Sequence, residues 1–118
     1  MMSWVYVFVA KNKFASFEEM RAFIDPGFTE DGDYIPSDLM KETQLFDIEP
    51  GFIEAVYEES PKVIRILLSE SSYAEQWLSQ IKEEQHFNNA ICIYAPNHLD
   101  HPEGCSMKYL GKFAILTL

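Results

Sequence analysis

Eight residues near the start of the chain, S-W-V-Y-V-F-V-A from Ser3 to Ala10, admit only one local structure. Side chains that are β-branched or aromatic throughout lose rotamer freedom in a helix and fit a pleated strand. Strand alternation sets Trp4, Tyr6 and Phe8 on one side and Val5, Val7 and Val9 on the other, so the strand is covered on at least one face. Whatever else folds must supply that cover.

Helical and strand periodicities then alternate along the chain. Ser16 opens F-E-E-M-R-A-F-I-D as a capping box with Glu19, with Phe17, Met20, Phe23 and Ile24 as the apolar stripe, and Pro26-Gly27 ends it. After an acidic loop, Ser37 caps a short second helix through Gln44 that buries Leu39, Met40 and Leu45. Phe52 to Glu58 is a strand, and Ser60-Pro61 reads as a helix start leading into K-V-I-R-I-L-L-S. Ser72 and Glu75 form a second capping box for a helix carrying Ala74, Trp77, Leu78 and Ile81, broken by Asn88-Asn89. Ala90 to Ala95 is a short buried strand, Asn97 to Ser106 a loop, and Lys108 to Leu118 a final strand with a bulge at Gly111. The order βααβααββ predicts one α+β domain over residues 1–118, a mixed four-stranded sheet with helices packed on one face.

Several function classes drop out. No apolar run approaches the roughly 20 residues of a membrane helix, and no basic region precedes Trp4 to Ala10, so the chain reads as unprocessed and soluble. Cys92 in an apolar run and Cys105 in a polar loop read as unpaired thiols, which fits the cytoplasm. No nucleophile stands beside a base in a glycine-flanked serine or cysteine-histidine pattern. Glu54 and Glu58 are a carboxylate pair of the kind that acid/base chemistry uses, but such pairs arise freely in an acidic chain. His98, His101 and Cys105 are zinc-type ligands without a recognised spacing, and a polar loop explains them.

The stretch T-E-D-G-D-Y-I-P-S-D-L-M-K-E, Thr29 to Glu42, invites comparison with a calcium loop. Counted from Asp31, the first, third and twelfth positions are Asp31, Asp33 and Glu42, but the fifth is Ile35 and the sixth is Pro36. A ligand is missing and the glycine turn cannot form, so no specific calcium site is expected and weak divalent association is the softer alternative. The wider charge map says more. Between Asp25 and Glu59 there are eleven acids, Asp25, Glu30, Asp31, Asp33, Asp38, Glu42, Asp47, Glu49, Glu54, Glu58 and Glu59, against one base, Lys41. The other eight acids are matched by eight bases, so the whole net charge of -10 lies in this one segment. Such a field argues against nucleic acid as a direct ligand and suits a cationic partner, or else a merely solubilising face.

The opening W-V-Y-V-F-V-A-K-N-K-F-A-S-F-E-E-M-R-A-F-I, the central F-I-E-A-V-Y-E, and S-S-Y-A-E-Q-W-L-S-Q-I followed by F-N-N-A-I-C-I-Y resemble the immunity protein 22 family of bacterial polymorphic toxin systems. The resemblance runs from Trp4 to Tyr94 and leaves out the tail after Pro96; Q-L-F-D-I-E-P-G departs from the family's Trp-Tyr-Asp type of pattern. It implies a small cytoplasmic α+β protein that binds and blocks a cognate toxin domain, with no cofactor and no chemistry of its own. Many toxins of such systems are nucleases with basic clefts, which an acidic face would occlude as a phosphate mimic. Joined with the charge map, it makes Glu30, Asp31, Asp33, Asp38, Glu42, Asp47 and Glu49 the expected partner-binding residues. The alternatives are an adaptor or regulatory domain with a non-toxin partner, and a small enzyme using its carboxylates.

Overall fold

The computed structural model describes residues 1–118. Strand β1 (Met2–Ala10) is followed by α1 (Phe17–Ile24), a hairpin of β2 (Gly27–Phe28) and β3 (Tyr34–Ile35), and α2 (Asp38–Thr43). Then come β4 (Ile53–Val63), the single turns α3 (Ile64–Leu67) and α4 (Ala74–Trp77), β5 (His86–Tyr94) and β6 (Lys108–Leu116). The main sheet has the order β4-β5-β1-β6. The α+β class is as expected, but the sheet is antiparallel throughout and not mixed. The crossover through α1 and α2 does make β4 run the same way as β1; β5 then inserts between them and pairs antiparallel with both.

A second correction concerns the helices, which cover both faces. Val5, Val7, Val9 and Cys92 pack against Ile64, Leu67, Leu68 and Trp77 on one side. Tyr6, Phe8, Ile91 and Ile93 pack against Met20, Phe23, Ile24, Leu39 and Leu45 on the other. A strand apolar on both sides, as β1 is, demands two covering layers.

Two of the four helix signals behave as written. Ser16 Oγ accepts the Glu19 amide at 3.1 Å, while the Glu19 carboxylate reaches the Ala15 amide at 2.7 Å. Ser37 Oγ accepts the Met40 amide at 3.3 Å, and Gln44 closes α2 in the left-handed region. The other two fail. Ser60-Pro61 begins no helix: β4 runs on to Val63 with its pairing interrupted between Tyr57 and Lys62, and the proline falls in that irregular stretch of an edge strand, where no ladder donor is needed. Ser72 does not cap either, because its hydroxyl donates to Glu54 Oε2 at 2.6 Å and Tyr73 takes the cap position with φ +60°. The long helix expected after it is one α turn and a 3-10 turn, Leu78–Gln80. Trp77, fully buried and donating from Nε1 to the Ser72 carbonyl at 3.1 Å, draws this segment under the sheet.

Asn88 and Asn89 belong to β5 and do not break a helix; their buried amides fasten the turn after β1. Asn89 Oδ1 accepts the Lys13 and Phe14 amides at 3.1 and 2.9 Å, and Asn88 Oδ1 accepts the Asn12 amide at 2.7 Å. In β6 the expected bulge is present, the register against β1 slipping between Val7 and Phe8 where Gly111 has φ +138°. No helix is long and apolar enough to cross a membrane.

Candidate functional site

The acidic segment contains two anchored loops, the β2–β3 hairpin and the stretch from Phe46 to Phe52 before β4, with α2 between them and the start of β4 after them. The hairpin turn is built by Thr29, whose amide donates to the Asp33 carbonyl at 2.8 Å while its hydroxyl accepts the Asp33 amide at 3.0 Å. Gly32 supplies the positive φ, +86°, that the turn requires. The Tyr34 hydroxyl donates to Met40 Sδ at 3.3 Å, tying the hairpin to α2.

The second loop is held by Asn97, a fully buried residue. Its Oδ1 accepts the Glu49 amide at 2.7 Å and its Nδ2 donates to the carbonyls of Glu49 and Tyr94, both at 3.1 Å. Arg21 joins the two loops. Its guanidinium pairs with Asp25 at 2.5 Å, donates to the Ile53 carbonyl at 2.8 Å and reaches the Pro50 carbonyl at 3.4 Å. The chain entering the hairpin and the chain leaving the second loop therefore meet at one cation.

Of the seven expected partner-binding residues, Glu30, Asp31, Asp33, Asp38, Asp47 and Glu49 are exposed, and Glu42 is half-buried. Glu42 is already engaged, accepting the Ser106 amide at 2.6 Å, and Asp38 lies 3.8 Å from Lys41. The side chains of the other five, Glu30, Asp31, Asp33, Asp47 and Glu49, have no ion-pair partner. Interleaved with them are side chains that the charge map passed over. Phe28 and Phe46 are 68% and 75% exposed, and Tyr34, Ile35 and Phe52 also face water. Phe28 and Tyr34 meet edge to face across the hairpin at 5.7 Å. For the hairpin itself a sequence signal was present, since aromatics flanking an Asp-Gly turn are a hairpin pattern; nothing in the sequence marks Phe46 or Phe52 as exposed.

The remaining candidates do not converge. His98 faces Asp100 at 3.5 Å and His101 faces Glu103 at 3.0 Å, so each histidine meets a different carboxylate. No three His, Cys, Asp or Glu residues are grouped to hold a metal ion. Glu54 is not paired with Glu58: its carboxylate accepts the Tyr94 hydroxyl at 2.8 Å, the Ser72 amide at 3.2 Å and the Ser72 hydroxyl, while Glu58 is exposed. Burial, with Cys92 and Glu54 close by, drives the Tyr94 hydroxyl far above its ordinary range. Burial likewise pushes the Cys92 thiol up to about 12 and the Cys105 thiol up to about 11, which leaves neither as a nucleophile at neutral pH.

Comparison with known proteins adds one finding. The family model described as Immunity protein 22 matches residues 7–115. The match includes the tail after Pro96 that the sequence resemblance left out, for a physical reason: β6 lies in that tail and completes the sheet beside β1. Neither the curated proteins nor the solved structures give a match.

Proposed function

The chain belongs to the immunity protein 22 family, and on that premise we propose that it neutralises a cognate toxin domain by binding it through the two anchored acidic loops. The observation that carries this reading is the mixture on their surface. Five large apolar side chains, Phe28, Tyr34, Ile35, Phe46 and Phe52, stand in water among carboxylates that have no cation of their own. Aromatic anchors within a charged rim are the usual anatomy of a protein-binding surface. A basic toxin cleft, such as that of a nuclease, complements it in charge. Glu30, Asp31, Asp33, Asp38, Glu42, Asp47 and Glu49 steer the encounter, and the aromatics hold the complex. Inhibition of this kind is occlusion, acts in the cytoplasm where the toxin does its harm, and asks no catalysis of this chain.

The test is association kinetics with the cognate toxin domain. Changing Glu30, Asp31 and Asp33 together to amides should slow association about tenfold and flatten its salt dependence, since exposed charges act mainly on encounter. Phe46→Ser should instead speed dissociation. The control neutralises Glu18, Glu75 and Glu84, exposed acids outside the two loops. Equal effects of the two triples, or an affinity indifferent to salt, would overturn the acidic surface as the binding site.

A further inference from the structure

At the end of the sheet where β4 starts, a cleft of about 360 Å³ opens between Phe52, Glu54, Ser72, Tyr73 and Tyr94. Glu54 lies in it with both carboxylate oxygens fixed. Oε1 accepts the Ser72 amide and shares the single Tyr94 hydroxyl proton with the Ser72 carbonyl, at 2.8 and 2.7 Å, and Oε2 accepts the Ser72 hydroxyl. A carboxylate offers about four acceptor positions, so one on Oε2 remains open. No basic side chain pairs with Glu54 anywhere in the fold. Tying the Ser72 turn to β4 accounts for the three bonds and leaves the charge uncompensated.

The rim adds chemistry. Phe52 and Tyr73 remain 54% and 39% exposed. Tyr73 also has φ +60°, a backbone region that a bulky side chain enters rarely and at a cost. An ordered, uncompensated carboxylate beside two accessible aromatic rings selects a cation with a flat face. A guanidinium stacks on such rings and donates along its edge, whereas an ammonium requires several convergent acceptors.

We propose that this cleft receives an arginine side chain of the partner protein, with its guanidinium against Phe52 and Tyr73 and an N–H donated to Glu54 Oε2. The proposal deepens the toxin-binding reading and rests on it for the identity of the partner. Phe52 belongs to both surfaces, so the cleft continues the second acidic loop.

The first measurement needs no toxin. Nα-acetyl-arginine amide is titrated into the 15N-labelled protein, with Nα-acetyl-citrulline amide, its uncharged near-isostere, as comparison. The amides of Glu54, Ser72 and Tyr73 should shift saturably with the arginine probe in the millimolar range, and at least tenfold more weakly with citrulline. Glu54→Gln should abolish that preference. Because Glu54 also supports the Ser72 turn, Phe52→Ala, at an exposed ring, serves as the second variant and should weaken the arginine probe threefold or more. Equal response to the two probes, or shifts confined to the β2–β3 hairpin, would overturn the proposal. In the toxin complex, Glu54→Gln should raise the dissociation rate while leaving association unchanged. Arginine binding in the cleft without any toxin complex would sink the partner assignment alone, and a toxin complex indifferent to Glu54→Gln would sink the cleft alone.

Discussion

Replacing Asn97 by alanine should be among the most damaging single changes outside the apolar core. The side chain makes three hydrogen bonds, one accepted from the Glu49 amide and two donated to the Glu49 and Tyr94 carbonyls. Both carbonyls keep another donor, from the Phe52 and Asn97 amides respectively, so the Glu49 N–H alone is orphaned. At about 1 kcal/mol for each bond lost, the change comes to about 3 kcal/mol. With an unfolding entropy of about 2.1 cal/mol/K per residue, the 118-residue chain should melt about 12 °C lower. Asn97→Asp separates this account from simple loss of volume. It keeps the acceptor for Glu49 but turns a carboxylate toward two carbonyl oxygens, which raises the folded pKa of the new acid. A raised folded pKa means stability that is present at low pH and lost as pH rises, so the deficit of Asn97→Asp against wild type should be larger at pH 7 than at pH 4. The assay is urea denaturation at both pH values together with thermal melting. Asn97→Ala melting within about 3 °C of wild type, or a pH-independent Asn97→Asp deficit, would refute the clasp.

Three further outcomes are expected. Stability should fall as pH rises above about 9, where the unfolded thiols ionise but the buried Cys92 and the half-buried Cys105, raised to about 12 and about 11, do not; at pH 8 iodoacetamide should leave Cys92 unlabelled until urea is added. Labelling of the native protein at Cys92 within minutes, located by peptide mass mapping, would show that thiol to be accessible. Tyr73→Asn should gain about 1 kcal/mol by relieving the left-handed tyrosine while weakening the arginine probe, and a loss of stability would show that the ring packs more than it strains. Trp77→Ala should cost about 3 to 5 kcal/mol as a cavity, whereas Phe46→Ala, at a ring 75% exposed, should stay within about 0.5 kcal/mol; urea midpoints that fail to separate the two would undo this division between core and surface.

The four strands of the main sheet and the helices at Ser16 and Ser37 were legible because their side-chain periodicity and caps are local, whereas the β2–β3 hairpin was read only as an acidic loop. What was not legible depended on competition between partners far apart in sequence. Ser72 has the spacing of a cap with Glu75, yet Glu54, 18 residues earlier, captures the hydroxyl and amide that capping would have used. Asn88 and Asn89 look like a break, but the backbone amides of residues 12–14 need acceptors and these two side chains supply them from inside β5. Pro61 promised a helix start because its environment on an edge strand, free of ladder pairing, cannot be read from neighbouring residues. The acids of the candidate site were found by counting, whereas Phe28, Phe46 and Phe52 were missed. An apolar residue in sequence is presumed buried, and only the fold reveals that no layer covers these.

The division of labour among the eleven acids supports the proposed reading more than their number does. Asp25 pairs with Arg21, Glu42 holds the Ser106 amide, Glu54 takes three donors and Asp38 has Lys41 nearby. The side chains of Glu30, Asp31, Asp33, Asp47, Glu49, Glu58 and Glu59 do nothing for the fold, and by mutual repulsion they oppose it. Five of those seven lie in the two loops that also expose the aromatic rings. Charge gathered around exposed aromatic rings serves both solubility and the binding of a partner of opposite charge. Two copies of this chain meeting at Phe28 or Phe46 would repel each other through the surrounding carboxylates, while a basic partner would be drawn to the same spot. On the proposed reading, the charge thus gives the aromatic patch its specificity: it keeps the patch free of itself and open to a cation-rich surface.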